Sequence, residues 1–320
     1  MHSEPKHSPA VTSFSSPFVV VEDFLDGDVA DSMRAALEAH FANPESHSPS
    51  THQIWNYWYV PNQYMYLRTQ PEKIFPKTLV EKFVAALRMW SVDQLGMSKV
   101  SWPYLSLYLN GCRQDLHNDA TNGRFAFVYS MTPSSRRTTG GETILLGEGD
   151  LVRKYLKQPA AGSAIRHLIE PHFNRLLVFD DRIVHGVERV DGSMDPREAR
   201  CVLHGHIEEA GPQVRGALSV TTVRDAIQSV FETFLDEATA ATQIYQGPLV
   251  IRWSITAAGR ADQIRIILDR VLSRSAAEIE WRVVRDRLLE ILQEARFPAS
   301  EGETEVTLPV SFGGSLKRGR

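Results

Sequence analysis

Hydrophobic positions follow two different periods along the chain, and each period predicts its own kind of element. The β-branched run Phe18–Val21 predicts a strand. Apolar residues at intervals of three and four predict helices from about Asp28 to Phe41 and from about Pro76 to Leu95. Between Val100 and Ile207 the pattern changes to short strands separated by glycine, proline and asparagine. Short strands at this spacing are typical of an antiparallel sandwich or barrel.

The periodicity becomes helical again after a predicted linker at residues 208–216. We expect a β-hairpin from Leu249–Ile255 and Gln263–Leu268, a last strand at Val306–Phe312, and two amphipathic helices, one of which has Val283 on its apolar face. Two helices with a sheet to cover have a core of their own, so this part is predicted to be a separate α+β domain. The predicted division is a disordered tail at residues 1–16, a first domain at 17–210 and a second domain at 215–320.

Composition narrows the class of protein without identifying it. The 320 residues are 42% hydrophobic and carry a net charge of −4, so a surface that follows nucleic-acid phosphates is not expected. No run of eighteen apolar residues occurs and no secretory signal is visible, so we expect no membrane span and a cytoplasmic protein. Two isolated cysteines, Cys112 and Cys201, predict neither a disulfide scaffold nor a structural zinc site.

A histidine and a carboxylate two residues apart are the first sign of a metal site. Residues i and i+2 of a strand point to the same face, so His117 and Asp119 could bind one ion together. His185 follows the well-formed predicted strand Arg175–Asp180 and could supply the third ligand. Two histidines and one carboxylate are the ligand set of non-haem Fe(II) oxygenases, in which the other metal positions stay open. A His-x-Asp or His-x-Glu spacing occurs three times in this chain, so the spacing alone also fits surface residues.

The surrounding motifs resemble those of the 2-oxoglutarate- and Fe(II)-dependent dioxygenases, in the prolyl-4-hydroxylase-like branch. The matching segments, in the family's order, are Phe18–Leu25, Tyr108–Gly111, His117 with Asp119, Arg124–Tyr129, Gly140–Thr143 and Leu177–Val187. The resemblance implies a double-stranded β-helix, or jelly roll, with flanking helices. It also implies Fe(II) bound by His117, Asp119 and His185, with 2-oxoglutarate and dioxygen as co-substrates.

The family binds the distal carboxylate of 2-oxoglutarate with a basic residue on the strand after the last histidine. Arg200 begins such a strand, and Arg197 in the preceding loop is the alternative. Tyr108 would donate its hydroxyl to the same carboxylate, or it could be a core tyrosine. Two departures from the family pattern affect this assignment: the interval from His185 is long, and Val202 stands where the family has serine or threonine.

The resemblance implies an enzyme that hydroxylates an unactivated C–H bond. The substrate expected from this branch is a peptide or protein residue such as proline, and a free amino acid or a natural-product intermediate is an alternative. A binding protein that keeps the metal without turnover is a third possibility, which would be favoured if neither Arg200 nor Arg197 faced the metal.

Aromatic and histidine side chains near these motifs could line a substrate groove or could be core residues. Tyr57 and Tyr59 share one face of a predicted strand, and Trp58 points the other way. His204 and His206 alternate on the strand that begins at Arg200, and one of them could line the pocket.

The second domain resembles the C-terminal domain of TonB and of the AgmX/PglI gliding proteins. The matching segments are Ile227–Phe234, Gly247–Ile255, Ala295–Pro298 and Val306–Phe312. The resemblance implies contacts with a protein partner or a second copy of the chain rather than chemistry.

Overall fold

The protein is described by a computed structural model in two compact units. The described residues are 15–42, 48–49, 53–61, 63–119, 124–135, 137–147, 165–242, 245–273 and 280–313. We call Pro17–Met89 with Lys99–Glu208 the sheet unit. The described chain from Glu209 onward, with Trp90–Ser98 and residues 15–16, is the C-terminal unit. Residues 1–14 of the predicted tail lie outside the described residues.

The sheet unit is built mainly from short antiparallel strands, as the sequence predicts. Its strands are β1 (Phe18–Val21), β2 (Asn56–Val60), β3 (Tyr64–Thr69), β4 (Lys99–Val100), β5 (Tyr104–Tyr108), β6 (Arg113–His117), β7 (Phe125–Ser130), β8 (Thr138–Thr139), β9 (Thr143–Leu146), β10 (Arg166–Ile169), β11 (Arg175–Asp180), β12 (His185–Val187), β13 (Asp191–Gly192) and β14 (Arg200–Glu208). Short 3-10 helices lie at Pro71–Lys73 and Pro196–Glu198.

Twelve of these strands form one sheet in the order β1-β11-β7-β14-β5-β3-β6-β12-β9-β10, with β2 paired to β3 and β4 paired to β14. The sheet is curled into a half-barrel, so side chains from strands far apart in this order surround one cavity. The remaining strands, β8 and β13, pair with each other. The predicted antiparallel architecture with flanking helices is therefore confirmed.

Two helices flank this sheet. Helix α1 (Gly27–Phe41) buries Ala30, Met33 and Leu37, and helix α2 (Lys77–Gln94) buries Val80, Phe83 and Leu87. Both sets recur at intervals of three and four, which places each set on one helix face. The Phe83 ring lies 5.0 Å from that of Tyr129 on β7, so α2 covers the sheet. The two predicted helices lie within two residues of their expected limits.

The C-terminal unit has its own sheet and core. Its strands are β15 (Gln213–Gly216), β16 (Tyr245–Ile255), β17 (Ala261–Asp269), β18 (Leu272–Ser273) and β19 (Thr304–Phe312), and its helices are α3 (Val220–Thr242) and α4 (Trp281–Glu294). The sheet order is β15-β19-β16-β17, and β18 pairs with β16. One apolar cluster includes residues of both helices and of the sheet. No helix in the described residues is long and apolar enough to cross a membrane.

Three expectations about this unit need correction. The predicted linker at 208–216 contains β15, which pairs with β19 and so belongs to the sheet. Val283 is 61% exposed, because the buried face of α4 is formed by residues such as Val284 and Leu288. Residues 90–98 also belong here: Arg252 Nη2 donates to the Val92 carbonyl at 2.8 Å.

Candidate metal and co-substrate site

A cavity of about 460 Å³ lies in the curl of the sheet. Strand β14 lines it with Arg200, Val202, His204 and His206. These positions alternate along the strand, so their side chains share one face of the sheet. One strand thus places four residues along the cavity, and the neighbouring strands add the candidate metal ligands.

The three predicted ligands converge at one end of this cavity. His117 ends β6, and His185 begins β12 directly opposite it in the antiparallel register. Asp119 lies two residues beyond the end of β6 rather than on the strand, and its backbone N–H donates to the Asp181 carbonyl at 3.0 Å. One ligand atom from each of the three side chains lies within 4.8 Å of the others. The grouping of these residues is therefore a property of the fold, although Asp119 reaches it from a loop.

Backbone hydrogen bonds aim both imidazoles at the same point. His117 Nδ1 lies 2.9 Å from the Asp115 carbonyl oxygen, and His185 Nδ1 lies 2.9 Å from that of Ile183. A ring nitrogen that faces a carbonyl must donate, so Nε2 of each neutral ring keeps its lone pair. These Nε2 atoms lie 3.9 and 3.5 Å from the two carboxylate oxygens of Asp119.

The electrostatic environment favours the protonation states that a metal requires. Burial raises the pKa of Asp119, but its hydrogen bond to His185 and the histidine charges outweigh burial and lower the pKa to about 2. Burial, together with the charge of His185, lowers the pKa of His117. At neutral pH the group therefore offers one carboxylate and a neutral His117, which are ligand forms.

This donor set fits a divalent transition metal. Bonds of about 2.0–2.2 Å to imidazole nitrogen and carboxylate oxygen bring ligand atoms within about 4 Å of one another. In this structure the three ligand atoms lie within 4.8 Å of one another, so only a small movement of the side chains is needed to bind a metal. Gln114 Nε2 lies 3.2 Å from His117 Nε2, so this amide would have to turn away when the nitrogen binds a metal.

Arg200 is buried in the cavity wall. Its side chain is 2% exposed, and it stands opposite Tyr108 in the register of β14 and β5. Its Nη2 donates to Thr143 Oγ1 at 3.1 Å, and its Cζ lies 4.6 Å from the centre of the Tyr108 ring. A buried guanidinium is costly unless an anion or hydrogen bonds satisfy it, so this position suits a carboxylate.

The alternative anchor Arg197 and the predicted co-substrate contact Tyr108 differ in their position relative to the cavity. Arg197 does not line the cavity; its Nη2 pairs with Asp195 at 2.7 Å on the surface. The Tyr108 hydroxyl donates to Gln114 Oε1 at 3.2 Å, while the Tyr108 ring lies against Arg200. Burial raises the pKa of Tyr108, so this hydroxyl remains a donor at any physiological pH.

Several lining residues could not be assigned from sequence. Thr143 was noted only as part of a motif, and its contact with Arg200 joins positions 57 residues apart. Both His204 and His206 line the cavity, whereas the sequence showed only that one of them could do so. Trp58 also lines the cavity, whereas Tyr57 and Tyr59, on the opposite strand face, are 61% and 57% exposed and stack on each other.

Comparisons with known proteins give fold likeness only. No family model matches the chain, and no curated protein matches it. Among solved structures, a Pseudomonas putida prolyl-4-hydroxylase is 16% identical with a TM-score of 0.43, and the match covers 61% of this chain and 93% of that chain. A Trichoplax adhaerens prolyl hydroxylase, solved with a hypoxia inducible factor peptide fragment, is 13% identical with a TM-score of 0.41, covering 59% and 81%. The non-heme alpha ketoglutarate dependent epimerase SnoN from nogalamycin biosynthesis is 11% identical with a TM-score of 0.43, covering 61% and 79%.

Proposed function

We propose that the chain is a 2-oxoglutarate- and Fe(II)-dependent oxygenase whose half-barrel is a double-stranded β-helix. The observation that carries the proposal is one cavity that contains both the His117, Asp119 and His185 group and the buried guanidinium of Arg200. A metal alone needs only the first of these features. The combination suits an anion that chelates the metal at one end and pairs with an arginine at the other.

Each residue has a separate task in this proposal. His117, Asp119 and His185 would hold Fe(II) on one side and leave the opposite positions open. Arg200 would bind the distal carboxylate of 2-oxoglutarate, and Thr143, which accepts a hydrogen bond from it, would keep its guanidinium in place. With these groups bound, Fe(II) would supply the coupled oxidation by dioxygen of 2-oxoglutarate, to succinate and carbon dioxide, and of a substrate C–H bond, to an alcohol.

We further propose hydroxylation of a peptide or protein residue such as proline. Partly exposed aromatic side chains of the cavity wall support a substrate that extends to the surface: Trp58, Trp102 and Tyr104 are 39%, 41% and 46% exposed. Such rings give large contact areas for a chain that lies across a cavity mouth.

For the C-terminal unit we propose a TonB-C-like domain that binds a protein partner or a second copy of the chain. Its independent core and two-helix, antiparallel architecture support a domain that folds around its own sheet. The last histidine of the chain is His206, so no imidazole ligand comes from the residues after Glu208.

Succinate formation tests the enzymatic proposal. The full-length chain with Fe(II), dioxygen and 2-oxoglutarate should release succinate, even slowly without a second substrate. Asp119→Ala should reduce the rate by at least about 100-fold, because two imidazoles alone hold Fe(II) weakly. Arg197→Gln is the matched control and should keep the wild-type rate. A folded wild-type protein that forms no succinate would favour the non-catalytic binding protein.

A further inference from the structure

A second arginine faces the cavity, at its open side. Arg68 lies on β3, with Tyr64 and Tyr66 at alternate positions of the same cavity-facing side. It is half-buried, and its Nε is buried without a hydrogen-bond partner. No carboxylate of the described part of the chain forms an ion pair with it. Its side chain hydrogen-bonds with that of Tyr66, but a phenol hydroxyl does not neutralise the charge. A partly buried cation without an ion-pair partner is costly, so this position suits an anionic ligand.

Two aromatic rings lie close to this guanidinium. Arg68 Cζ lies 3.3 Å from the centre of the Tyr104 ring and 4.7 Å from that of Trp58. Cation–π contacts with these two rings stabilise the charge but do not neutralise it. The planar edge of a guanidinium presents two parallel N–H donors, which match the geometry of a carboxylate.

A second cavity of about 340 Å³ adjoins the first at this point. The two cavities share Trp58, Arg68 and Tyr104, and the second adds Lys73. Its described lining residues include two cations and no acid. Arg68 therefore stands where the metal cavity opens into a positively charged recess.

The positive charge of Arg68 is not balanced by the other charges of the main cavity. Its charged lining residues are Arg68, Asp119 and Arg200. With Fe(II) and the 2-oxoglutarate dianion bound, the metal and Arg200 would be neutralised by Asp119 and the dianion. The remaining positive charge, on Arg68, would then be balanced by an anionic group of the primary substrate.

We propose that Arg68 binds a carboxylate of the primary substrate and thereby selects for carboxylate-bearing substrates. This inference rests on the proposed function and identifies the class of substrate. The carboxylate could belong to a free amino acid or to an acidic side chain of a peptide. Either would enter from the Lys73 side and leave its reactive C–H bond toward the metal.

Matched pairs of probes test the proposal by direct binding. The first pair is L-proline and L-prolinamide. The second pair is a blocked proline-containing peptide with a neighbouring glutamate and the same peptide with glutamine. Each probe is titrated calorimetrically into the full-length chain without metal, so that the result does not depend on turnover. The wild type should bind the carboxylate member of at least one pair about tenfold or more tightly than the amide, the effect of one charged hydrogen-bonded contact.

Variants assign this preference to Arg68. Arg68→Gln should abolish the preference, and Arg68→Lys, which keeps the charge but not the planar fork, should keep part of it. Arg189→Gln is the matched control, because Arg189 is an exposed arginine of the same unit paired with Asp191. Circular dichroism checks that each variant is folded.

The results show whether the carboxylate belongs to a free amino acid or to a peptide. They also test the role of Arg68 separately from the proposed oxygenase activity. A preference confined to the first pair identifies a free amino acid, and one confined to the second identifies an acidic peptide. Equal affinity for the members of both pairs, no binding of any probe, or a preference that persists in folded Arg68→Gln would overturn the inference. Succinate formation, measured separately on the same protein preparations after addition of Fe(II), 2-oxoglutarate and dioxygen, would still report on the proposed oxygenase, whose failure is a different result.

Discussion

The His204 imidazole is a partly buried polar group in the same cavity wall as Arg200. Its Nε2 lies 2.8 Å from Ser106 Oγ. Burial lowers the pKa of His204 to about 3, and the charges of Arg68 and Arg200 act in the same direction. The His204 ring is therefore neutral in the folded protein at neutral pH, because a third positive group would be repelled by Arg68 and Arg200.

This burial predicts a pH dependence of stability. In the unfolded chain His204 has a pKa near 6.5, whereas in the folded protein its pKa is about 3. Between these pH values the unfolded state therefore binds more protons than the folded state. The contribution of His204 should be constant above pH 6.5 and should fall as the pH decreases toward 3, by at most about 1.4 kcal/mol per pH unit. Urea unfolding at several pH values should show a shallower loss of stability for His204→Asn than for the wild type.

The exposed His172, which pairs with Glu170, provides the control for this measurement. His172→Asn should leave the acid slope close to that of the wild type. An identical slope for wild type and His204→Asn would show that His204 is not held neutral by the fold.

At the residue scale, the sequence predicted which site residues lie close together only where those residues are close in sequence. His117 and Asp119 are two residues apart, so a common direction was predictable even though Asp119 lies past the strand end. The contacts of Arg200 with Thr143, and of Arg68 with Tyr104, depend on which strands pair. No pattern of polar and apolar residues specifies that pairing.

At the scale of elements, the alternation of polar and apolar residues and the helical periodicity were sufficient to predict most strands and helices. Strand β11 coincides with the predicted segment Arg175–Asp180, because an apolar run bounded by turn residues has few other interpretations. The Glu-Glu-Ala-Gly-Pro composition made residues 208–216 resemble a linker, yet the end of this segment is β15. Pairing with β19 determines that strand, and such tertiary contacts override local propensity.

The aromatic strand β2 is another case in which tertiary contacts, and not the local sequence, determine the structure. Alternation correctly separated Trp58 from Tyr57 and Tyr59, but it could not say which side faced the cavity. The inward side is set by the register of β2 on β3, in which Trp58 stands opposite Tyr66. A strand with aromatic residues on both faces leaves this choice to its neighbours.

At the scale of the whole molecule, the C-terminal unit is not formed by the C-terminal part of the chain alone. It includes residues 90–98, and Gln213 Nε2 donates to the Gly96 carbonyl at 2.8 Å. Gly96 also packs tightly: a Cβ added there would lie 2.5 Å from Val250 Cγ1. The sequence suggested a clean division near residue 210 because no local signal shows that an earlier segment belongs to the later unit.

A truncation after Glu208 should therefore destabilise what remains. Residues 90–98 would lose the hydrogen bonds from Gln213 and Arg252 and the apolar contacts around Gly96, a cost of about 2 kcal/mol or more. Urea unfolding of the truncated and full-length chains, followed by tryptophan fluorescence, measures this effect. Equal stability of the sheet unit in both chains would mean that the boundary at residue 210 is complete, as the sequence suggested.

The central claim is that a metal site and an arginine anchor in one cavity bind the same molecule. Calorimetric titration of 2-oxoglutarate into the full-length protein, with and without Mn(II) as a redox-stable substitute for Fe(II), tests this most directly. We predict that Mn(II) strengthens 2-oxoglutarate binding at least about tenfold in the wild type, since both ends of the dianion are then bound. Asp119→Ala should remove the effect of Mn(II), while Arg200→Gln should weaken binding with and without it. Binding of 2-oxoglutarate that is independent of Mn(II) in the wild type would contradict the account.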